Sequence, residues 1–315
     1  MALTINTNLS SMIVQSNLSK ATNALNQAIE RMTTGFKINH ASDNAAGYSI
    51  ARNWEAKLGS LDVAADNAAT GADMLSTLED HYALISTHMQ RVRDLTEQAA
   101  NGTYGSQSLA AINSEITARL EEIDRIAANC EFSGQNMMDG SLKKLAIQVG
   151  TDSNATKSQI ELKNDLFRRA DVMALRAAKD TEADDEVARK DVTDAQMEAS
   201  RNEFAKFCSG YDVENHRMTT AENERPAAML TKIDEMINII SDRITTLGAA
   251  QNRIESAIES IGVQSENITS SLSTLRDADV AQESSNYIKA QILQQASATL
   301  LATANQTPSI ALNLL

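Results

Sequence analysis

The chain has 315 residues, a formal net charge of −14 and only 3% aromatic residues. So few rings, together with only two prolines, Pro226 and Pro308, favour long helices over a domain with a thick core. The acidic balance, without a cluster of Lys or Arg, excludes a nucleic-acid backbone as partner. No segment reaches the roughly 18 apolar residues of a membrane span, so we expect no membrane partner.

Both ends of the chain lack charged side chains. Residues 1–19 and 291–315 contain no Asp, Glu, Lys or Arg. Polar residues interrupt every apolar stretch there, so neither end has the unbroken apolar run of a secretory signal. We expect both termini to be amphipathic and to need a protein partner for their apolar faces.

Two helices are predicted in the first half of the chain. The first covers residues 45–100, where an apolar stripe at steps of three and four begins with Trp54, Leu58 and Leu61. The stretch NGTYG at 101–105 interrupts it. A further helix over 107–129 follows, with its stripe at Leu109, Ile112, Ile116, Leu120 and Ile123.

A β-hairpin and a charged segment come next. Apolar residues alternate at Leu145, Ile147 and Val149 and again at Ile160 and Leu162, with turn residues between them, which predicts a small hairpin. Residues 161–225 then hold 27 charged side chains in 65. Both short helices and a solvated segment fit this composition, and we predict a surface-exposed insert over 164–226.

The last third of the chain carries the most regular pattern, which predicts one helix from 230 to beyond 300. Its steps alternate between four and three residues and meet only two polar positions, Gln251 and Ser265, which is typical of a coiled-coil seam. Helices of this length bury too little surface alone, so they need lateral partners. The predicted seam consists of Ile233, Ile237, Ile240, Ile244, Leu247, Ile254, Ile258, Ile261, Ile268, Leu272 and Leu275.

Motifs for enzymatic chemistry are missing from the sequence. It contains no H-E-x-x-H, G-x-x-x-x-G-K-[ST] or G-x-S-x-G pattern, and His81 and His88 lack further ligands nearby. Cys130 and Cys208 are far apart, which leaves open both a disulfide and two separate thiols. We therefore predict no catalytic residue, cofactor or metal.

Several motifs, in order and at both ends, resemble those of bacterial flagellins, the subunits of the flagellar filament. They include MALTINTN, ALNQAIERMTTGFKINHASDNAAGYSIA, MQRVRDLTEQAANGT, LGAAQNRIESAI and AQILQQASATLLATANQ. The resemblance implies a mainly α fold: a long antiparallel coiled-coil rod with paired terminal helices, a small β-hairpin and a short outer insert. It places the inner-tube helices at 1–44 and 272–315, the rod at 45–163 and 227–271, and the insert at 164–226.

The resemblance also implies a function and partners. The protein would be a structural subunit, not an enzyme, that polymerises into the filament used for swimming, and a hook-filament junction protein is the alternative. A signalling coiled coil would leave the uncharged termini unexplained. Implied partners are further copies of the chain, the hook-junction and cap proteins and an export chaperone. The implied location is the extracellular flagellum, reached through flagellar export without a cleaved signal peptide.

The same resemblance implies roles for individual residues. Positions in MQRVRDL and NSEITARL match the pattern by which flagellins contact an animal Toll-like receptor, and these positions are equally suited to contacts between subunits. Flagellins often carry sugars on outer Ser and Thr residues. Ser42 or Asp43 is suited to cap the helix that begins at 45. The receptor candidates are Gln90, Arg91, Leu95 and Glu115, and the glycosylation candidates are Thr151, Ser153 and Thr156.

Overall fold

The computed structural model describes residues 8–142, 144–152, 154–162, 166–177, 194–209, 211–212, 217–218 and 226–312. The chain divides into two compact units, Met1–Gly59 with Val263–Leu315, and Ser60–Gly262. The helices are α1 Leu9–Thr34, α2 Ala45–Ala100, α3 Ser106–Ala128, α4 Ala155–Ser158, α5 Val172–Ala177, α6 Asp194–Ser209, α7 Pro226–Arg276 and α8 Val280–Leu312. The strands are β1 Glu131–Phe132, β2 Gln135–Asn136, β3 Leu145–Gln148, β4 Gln159–Leu162, β5 Tyr211–Asp212 and β6 Arg217–Met218.

In the first unit, α1 and α8 form the predicted pair of terminal helices. The pair is antiparallel, because Asn8 Nδ2 donates to the Ala304 carbonyl at 2.8 Å while Arg31 Nη1 contacts Glu283 Oε1 at 3.2 Å. Small side chains let the two helices approach closely. The buried apolar residues of the pair are Ala21, Ala28 and Ala290.

The predicted continuous helix from 230 to beyond 300 is wrong, because the chain breaks between α7 and α8. Backbone of the α1–α2 connector pairs with the break: Lys37 N donates to the Arg276 carbonyl at 2.6 Å and Ala278 N to the Gly35 carbonyl at 2.8 Å. Gly35 has φ 76°, a left-handed conformation that favours glycine. The connector thus takes up backbone groups that a continuous helix would use internally.

Arg276 reinforces this junction within the first unit. Its guanidinium lies 4.0 Å from the centroid of the Phe36 ring and forms an ion pair with Glu55. A cation over an aromatic face is attracted by the ring quadrupole. The side chain thereby ties the connector and α2 to the end of α7.

The N-terminal cap of α2 differs from the predicted Ser42 or Asp43. Asn44 is the cap, with its Oδ1 accepting from Gly47 N at 2.9 Å. Asp43 instead accepts from the backbone of the connector, at 3.0 Å from His40 N. The hydrogen bond from the His40 backbone holds the pKa of Asp43 below its ordinary value.

In the second unit, α2 packs antiparallel to both α3 and α7. Arg93 Nε donates to Asp234 Oδ1 at 2.6 Å, and Gln251 Nε2 donates to Glu79 Oε2 at 2.8 Å, so α7 runs opposite to α2. Apolar stripes of the three helices form one core. Its largest fully buried side chains include Tyr82, Ile85, Met89, Leu109, Ile116 and Leu120.

The predicted β-hairpin is confirmed: β3 pairs antiparallel with β4, and Leu145 lies opposite Leu162. Gly71 of α2 makes room for it, since a Cβ at this position would lie 2.5 Å from Ile147 Cδ1. Strands β1 with β2 and β5 with β6 form two further short antiparallel pairs.

Parts of the predicted surface insert lie in the core. Helices α5 and α6 pack against α3. The composition of this segment allowed either short helices or a solvated chain, and in the described residues short helices form. The remaining positions, 178–193 and 219–225 among them, lie outside the described residues. The buried side chains of the segment are Leu166, Phe167, Ala170, Val172, Leu175, Phe204, Ala205 and Cys208.

Buried polar groups hold this segment in place. Tyr82 Oη donates to the Leu166 carbonyl at 3.2 Å, and Arg243 Nη1 donates to the Arg169 carbonyl at 3.1 Å. Arg243 Nη1 also lies 3.3 Å from Tyr82 Oη. On α3, Asp124 Oδ1 accepts from Val172 N at 2.9 Å. Core helices therefore supply hydrogen-bond partners for backbone groups of this segment.

Both cysteines are buried as thiols, which decides between the two alternatives that the sequence left open. Burial raises the pKa of the Cys130 thiol to about 12. Cys130 therefore stays protonated and poorly nucleophilic near neutral pH.

Candidate functional site

The terminal helices carry most of the exposed large apolar side chains that the structure describes. Of the fourteen large apolar side chains that are exposed among the described residues, ten belong to α1 and α8. We call these ten the terminal apolar surface. They are Leu9, Met12, Ile13, Ile29, Met32, Val280, Ile288, Ile292, Leu293 and Leu300.

Electrostatics distinguish α1 and α8 from the rest of this acidic chain. The two helices contain five charged side chains, Lys20, Glu30, Arg31, Glu283 and Lys289, with a net charge of +1. Arg31 and Glu283 already pair with each other. Identical copies can therefore approach along this surface without stacking like charges at short range.

Between α1 and α8 lies a groove of about 640 Å³. Small side chains such as Ala24 and Ser297 form much of its wall, while Lys20 and Lys289 line it as well. The buried apolar residues described in the pair are alanines, whereas two exposed leucines of α8 also line the groove. Exposed apolar side chains gathered on two helices indicate an interaction site.

The four receptor candidates do not form one exposed surface. Gln90 and Arg91 are exposed, and Arg91 Nη2 lies 2.9 Å from Glu115 Oε1 on α3. Leu95, in contrast, is only 2% exposed and belongs to the core. It faces inward because it continues the apolar stripe of α2, so the candidate surface is limited to Gln90, Arg91 and Glu115.

The predicted coiled-coil seam alternates between buried and partly exposed positions. From 233 to 261, one row is buried and the intervening row keeps part of its apolar surface accessible. The buried row consists of Ile233, Ile240, Leu247, Ile254 and Ile261. The partly exposed positions are Ile237, Ile244 and Ile258, followed by Ile268, Leu272 and Leu275.

Two of the three glycosylation candidates, Thr151 and Thr156, are exposed, whereas Ser153 lies outside the described residues.

The two histidines of α2 each contact another group. His81 Nδ1 lies 2.8 Å from the Thr77 carbonyl of its own helix, and His88 Nδ1 lies 3.5 Å from Arg119 Nη1. In the part of the chain that the structure describes, no group of three or more His, Cys, Asp or Glu side chains could hold a metal ion. Among the same residues, no helix combines the length and the hydropathy that a membrane span requires.

The polar network around Tyr82 and Arg243 was not predicted from the sequence. The sequence did contain a sign of this network: Arg243 lies between Ile240 and Leu247 and places a charge in the buried row of α7. A cation at such a position needs buried acceptors. Its acceptors come from residues 168 and 169, which the sequence did not link to α7.

These features define a class: a mainly helical structural protein whose paired terminal helices expose apolar side chains. Comparison with known proteins identifies the family. Residues 5–143 match the bacterial flagellin N-terminal helical region, and residues 230–315 match the bacterial flagellin C-terminal helical region. The chain belongs to the bacterial flagellin family.

Relatives match along the whole chain. Flagellin of Bacillus subtilis is 34% identical over 327 residues, covering 99% of each chain. Polar flagellin F of Vibrio parahaemolyticus is 31% identical over 380 residues, covering 100% of each chain. Among solved structures, Bacillus cereus flagellin is 23% identical with a TM-score of 0.42, covering 62% of this chain and 88% of that one.

The protein is therefore a structural subunit of the flagellar filament and not an enzyme. It assembles with further copies of itself, and its place is the flagellum outside the cell. The hook-filament junction alternative is not favoured, because both matching regions and the relatives found along the whole chain are flagellins.

Proposed function

We propose that the subunits join through the terminal apolar surface, so that α1 and α8 of neighbouring copies cover one another and line the inner tube of the filament. The observation that carries this proposal is that ten of the fourteen exposed large apolar side chains in the described ranges lie on these two helices. Burying apolar area is favourable by about 25 cal/mol per Å², so repeated contacts along a polymer add up quickly.

In this proposal, the rest of the chain lies outside the inner tube. Residues 45–163 and 227–271 form the wall, and the partly exposed row of the seam, such as Ile237 and Ile244, packs against neighbouring rods. The solvent-accessible side of residues 164–226 faces outward, while their buried side chains pack on the core. Thr151, Ser153 and Thr156, which precede this segment, carry sugars. The exposure of Thr151 and Thr156 supports this last assignment.

Further partners belong to the proposal as well. The hook-junction and cap proteins contact the two ends of the polymer, where the terminal apolar surface of the last subunit is left uncovered. An export chaperone shields the same side chains before assembly, and the chain leaves the cell through flagellar export without a cleaved signal peptide. The apolar character of α1 and α8 supports each of these contacts.

The assembly proposal is tested with the full-length chain. We expect the variant Ile13→Ser, Ile288→Ser, Ile292→Ser to stay soluble under salting-out conditions in which the parent chain forms long tubes in electron micrographs. All three side chains are exposed, so the variant should keep the helical circular dichroism of the parent. Tubes of normal length and yield from the variant would refute the proposal.

A receptor contact at Gln90, Arg91 and Glu115 is a second proposal, supported by the exposure of Arg91 and its ion pair with Glu115. We expect Arg91→Ala to reduce signalling in receptor-expressing reporter cells by about tenfold, the effect of losing roughly 1.4 kcal/mol at an arginine hot spot. Arg125→Ala is the matched control, because Arg125 is also exposed and paired with a glutamate on its own helix. Equal signalling by both variants would contradict the contact.

A further inference from the structure

The turn between α2 and α3 contains the chain's single Asn-Gly pair, Asn101-Gly102. Asn101, Gly102 and Thr103 are all exposed. Asn101 follows directly on the last residue of α2, and its Oδ1 accepts from Thr103 N at 3.4 Å. The carboxamide is thus turned towards the backbone that follows it, in reach of solvent.

We propose that Asn101 is a site of spontaneous deamidation and isoaspartate formation. The backbone nitrogen of Gly102 attacks Asn101 Cγ, the new C–N bond closes a five-membered succinimide, and the side-chain nitrogen leaves as ammonia with the proton lost from Gly102. Water then adds to one of the two ring carbonyls. One opening leaves aspartate with the normal backbone, and the other leaves isoaspartate, with the backbone running through Cβ. The net reaction consumes one water and needs no oxidant or enzyme.

Local geometry favours the reaction at this position. A Cβ on Gly102 would meet nothing within 4 Å, so the attacking nitrogen is uncrowded. Gly102 also has no side chain that would hinder ring closure, and glycine backbone rotates freely. Asparagine is among the thermolabile residues for this reason.

Another asparagine of the chain provides an internal comparison. Asn154 is also exposed, and its Oδ1 accepts from the backbone of the second residue after it, Thr156 N, at 3.1 Å. The next residue is an alanine, and any side chain on the residue after asparagine hinders closure of the succinimide ring. The two asparagines therefore share exposure and a side-chain hydrogen bond to the second residue on, and they differ in the residue that follows and in that Asn154 precedes a helix.

The product would change the turn in two ways. A new carboxylate would stand at the C-terminal end of α2, whose last turn has no basic residue, so it would oppose the helix dipole unaided. Isoaspartate would also lengthen the backbone of a five-residue connector between helices whose side chains Ala99 and Leu109 are buried. A filament subunit that is not replaced outside the cell would accumulate this change with age.

The test is incubation of the purified full-length chain at mildly alkaline pH, followed by peptide mapping and an isoaspartate-specific methyltransferase assay. We expect conversion at Asn101 to be about tenfold or more faster than at Asn154, which corresponds to a barrier lower by about 1.4 kcal/mol. Gly102→Ala should reduce the rate at Asn101 to that at Asn154. This variant suits the backbone, because Gly102 lies outside the left-handed region and its Cβ has open space.

The outcomes separate clearly. Selective conversion at Asn101 that Gly102→Ala suppresses would support the proposal. Equal rates at Asn101 and Asn154, no conversion at Asn101, or conversion that continues unchanged in Gly102→Ala would overturn it. The result does not depend on whether the terminal helices drive assembly, because the incubation uses the soluble subunit.

Discussion

Replacing Ile292 by Ala tests where the assembly energy lies. Ile292 is 60% exposed on α8 and belongs to the terminal apolar surface. Fully burying an isoleucine side chain stabilises by about 1.5–3 kcal/mol, so covering the exposed share in a polymer is worth about 1–2 kcal/mol. Alanine keeps part of that apolar area, which leaves a loss of about 1 kcal/mol per subunit. The critical concentration for growth should then rise about fivefold.

The assay is sedimentation of preformed and growing filaments over a series of subunit concentrations, with the soluble protein at the plateau taken as the critical concentration. Leu84→Ala is the matched control, because Leu84 is 51% exposed but lies on α2, outside the terminal helices. Urea unfolding of both soluble variants should match the parent chain, since both side chains already contact water.

Either of two results would contradict this prediction. An unchanged critical concentration for Ile292→Ala would show that this position stays in water in the filament. A larger rise for Leu84→Ala than for Ile292→Ala would place the main apolar contacts on α2 instead of the terminal helices.

Three further predictions concern the folded subunit. Tyr82→Phe should lower the free energy of unfolding in urea by about 1–3 kcal/mol, because it removes the hydroxyl that donates to the buried Leu166 carbonyl, while Tyr104→Phe, at a partly exposed hydroxyl, should change it little. Gly71→Ala should lower the thermal midpoint, because its Cβ would press on the hairpin at 2.5 Å, whereas Gly59→Ala has open space and should raise it. The pKa of Cys130 is raised from 9.0 to about 12, so the thiol's contribution is fully present below pH 9 and is lost as pH rises towards 12. The difference in unfolding free energy between the parent and Cys130→Ala should shift accordingly over this range, and a constant difference would contradict the assigned pKa.

Apolar spacing was enough to predict the main helices and the hairpin. Helix α2 begins at Ala45 and ends at Ala100, as the stripe and the NGTYG stretch predicted, and α3 differs by one residue at each end. Local periodicity suffices here because each of these helices buries one continuous face against its neighbours. The break at 277–279 escaped prediction, because no Pro or Gly marks it in the sequence. The connector backbone at Gly35 and Lys37, far away in sequence, pairs with the chain there.

The candidate site, too, could be predicted from the sequence only in part. The uncharged ends were visible in the residue types, and they alone indicated surfaces that need a protein partner. The residue types did not show which side chains remain exposed. Leu95 follows a surface arginine by four residues, yet it is buried because it lies on the core face of α2.

The sequence by itself determined the family, the helical periods and the amphipathic, uncharged termini, since all three depend on residue type and short-range spacing. Tertiary structure alone decided that α5 and α6 pack on α3 and that α7 stops at Arg276. Tyr82 and Arg243 meet the backbone of residues 166–169 across 74 to 84 positions of sequence. Such contacts depend on which backbone groups still lack partners once the helices have packed, and this is a property of the assembled core that no local pattern contains.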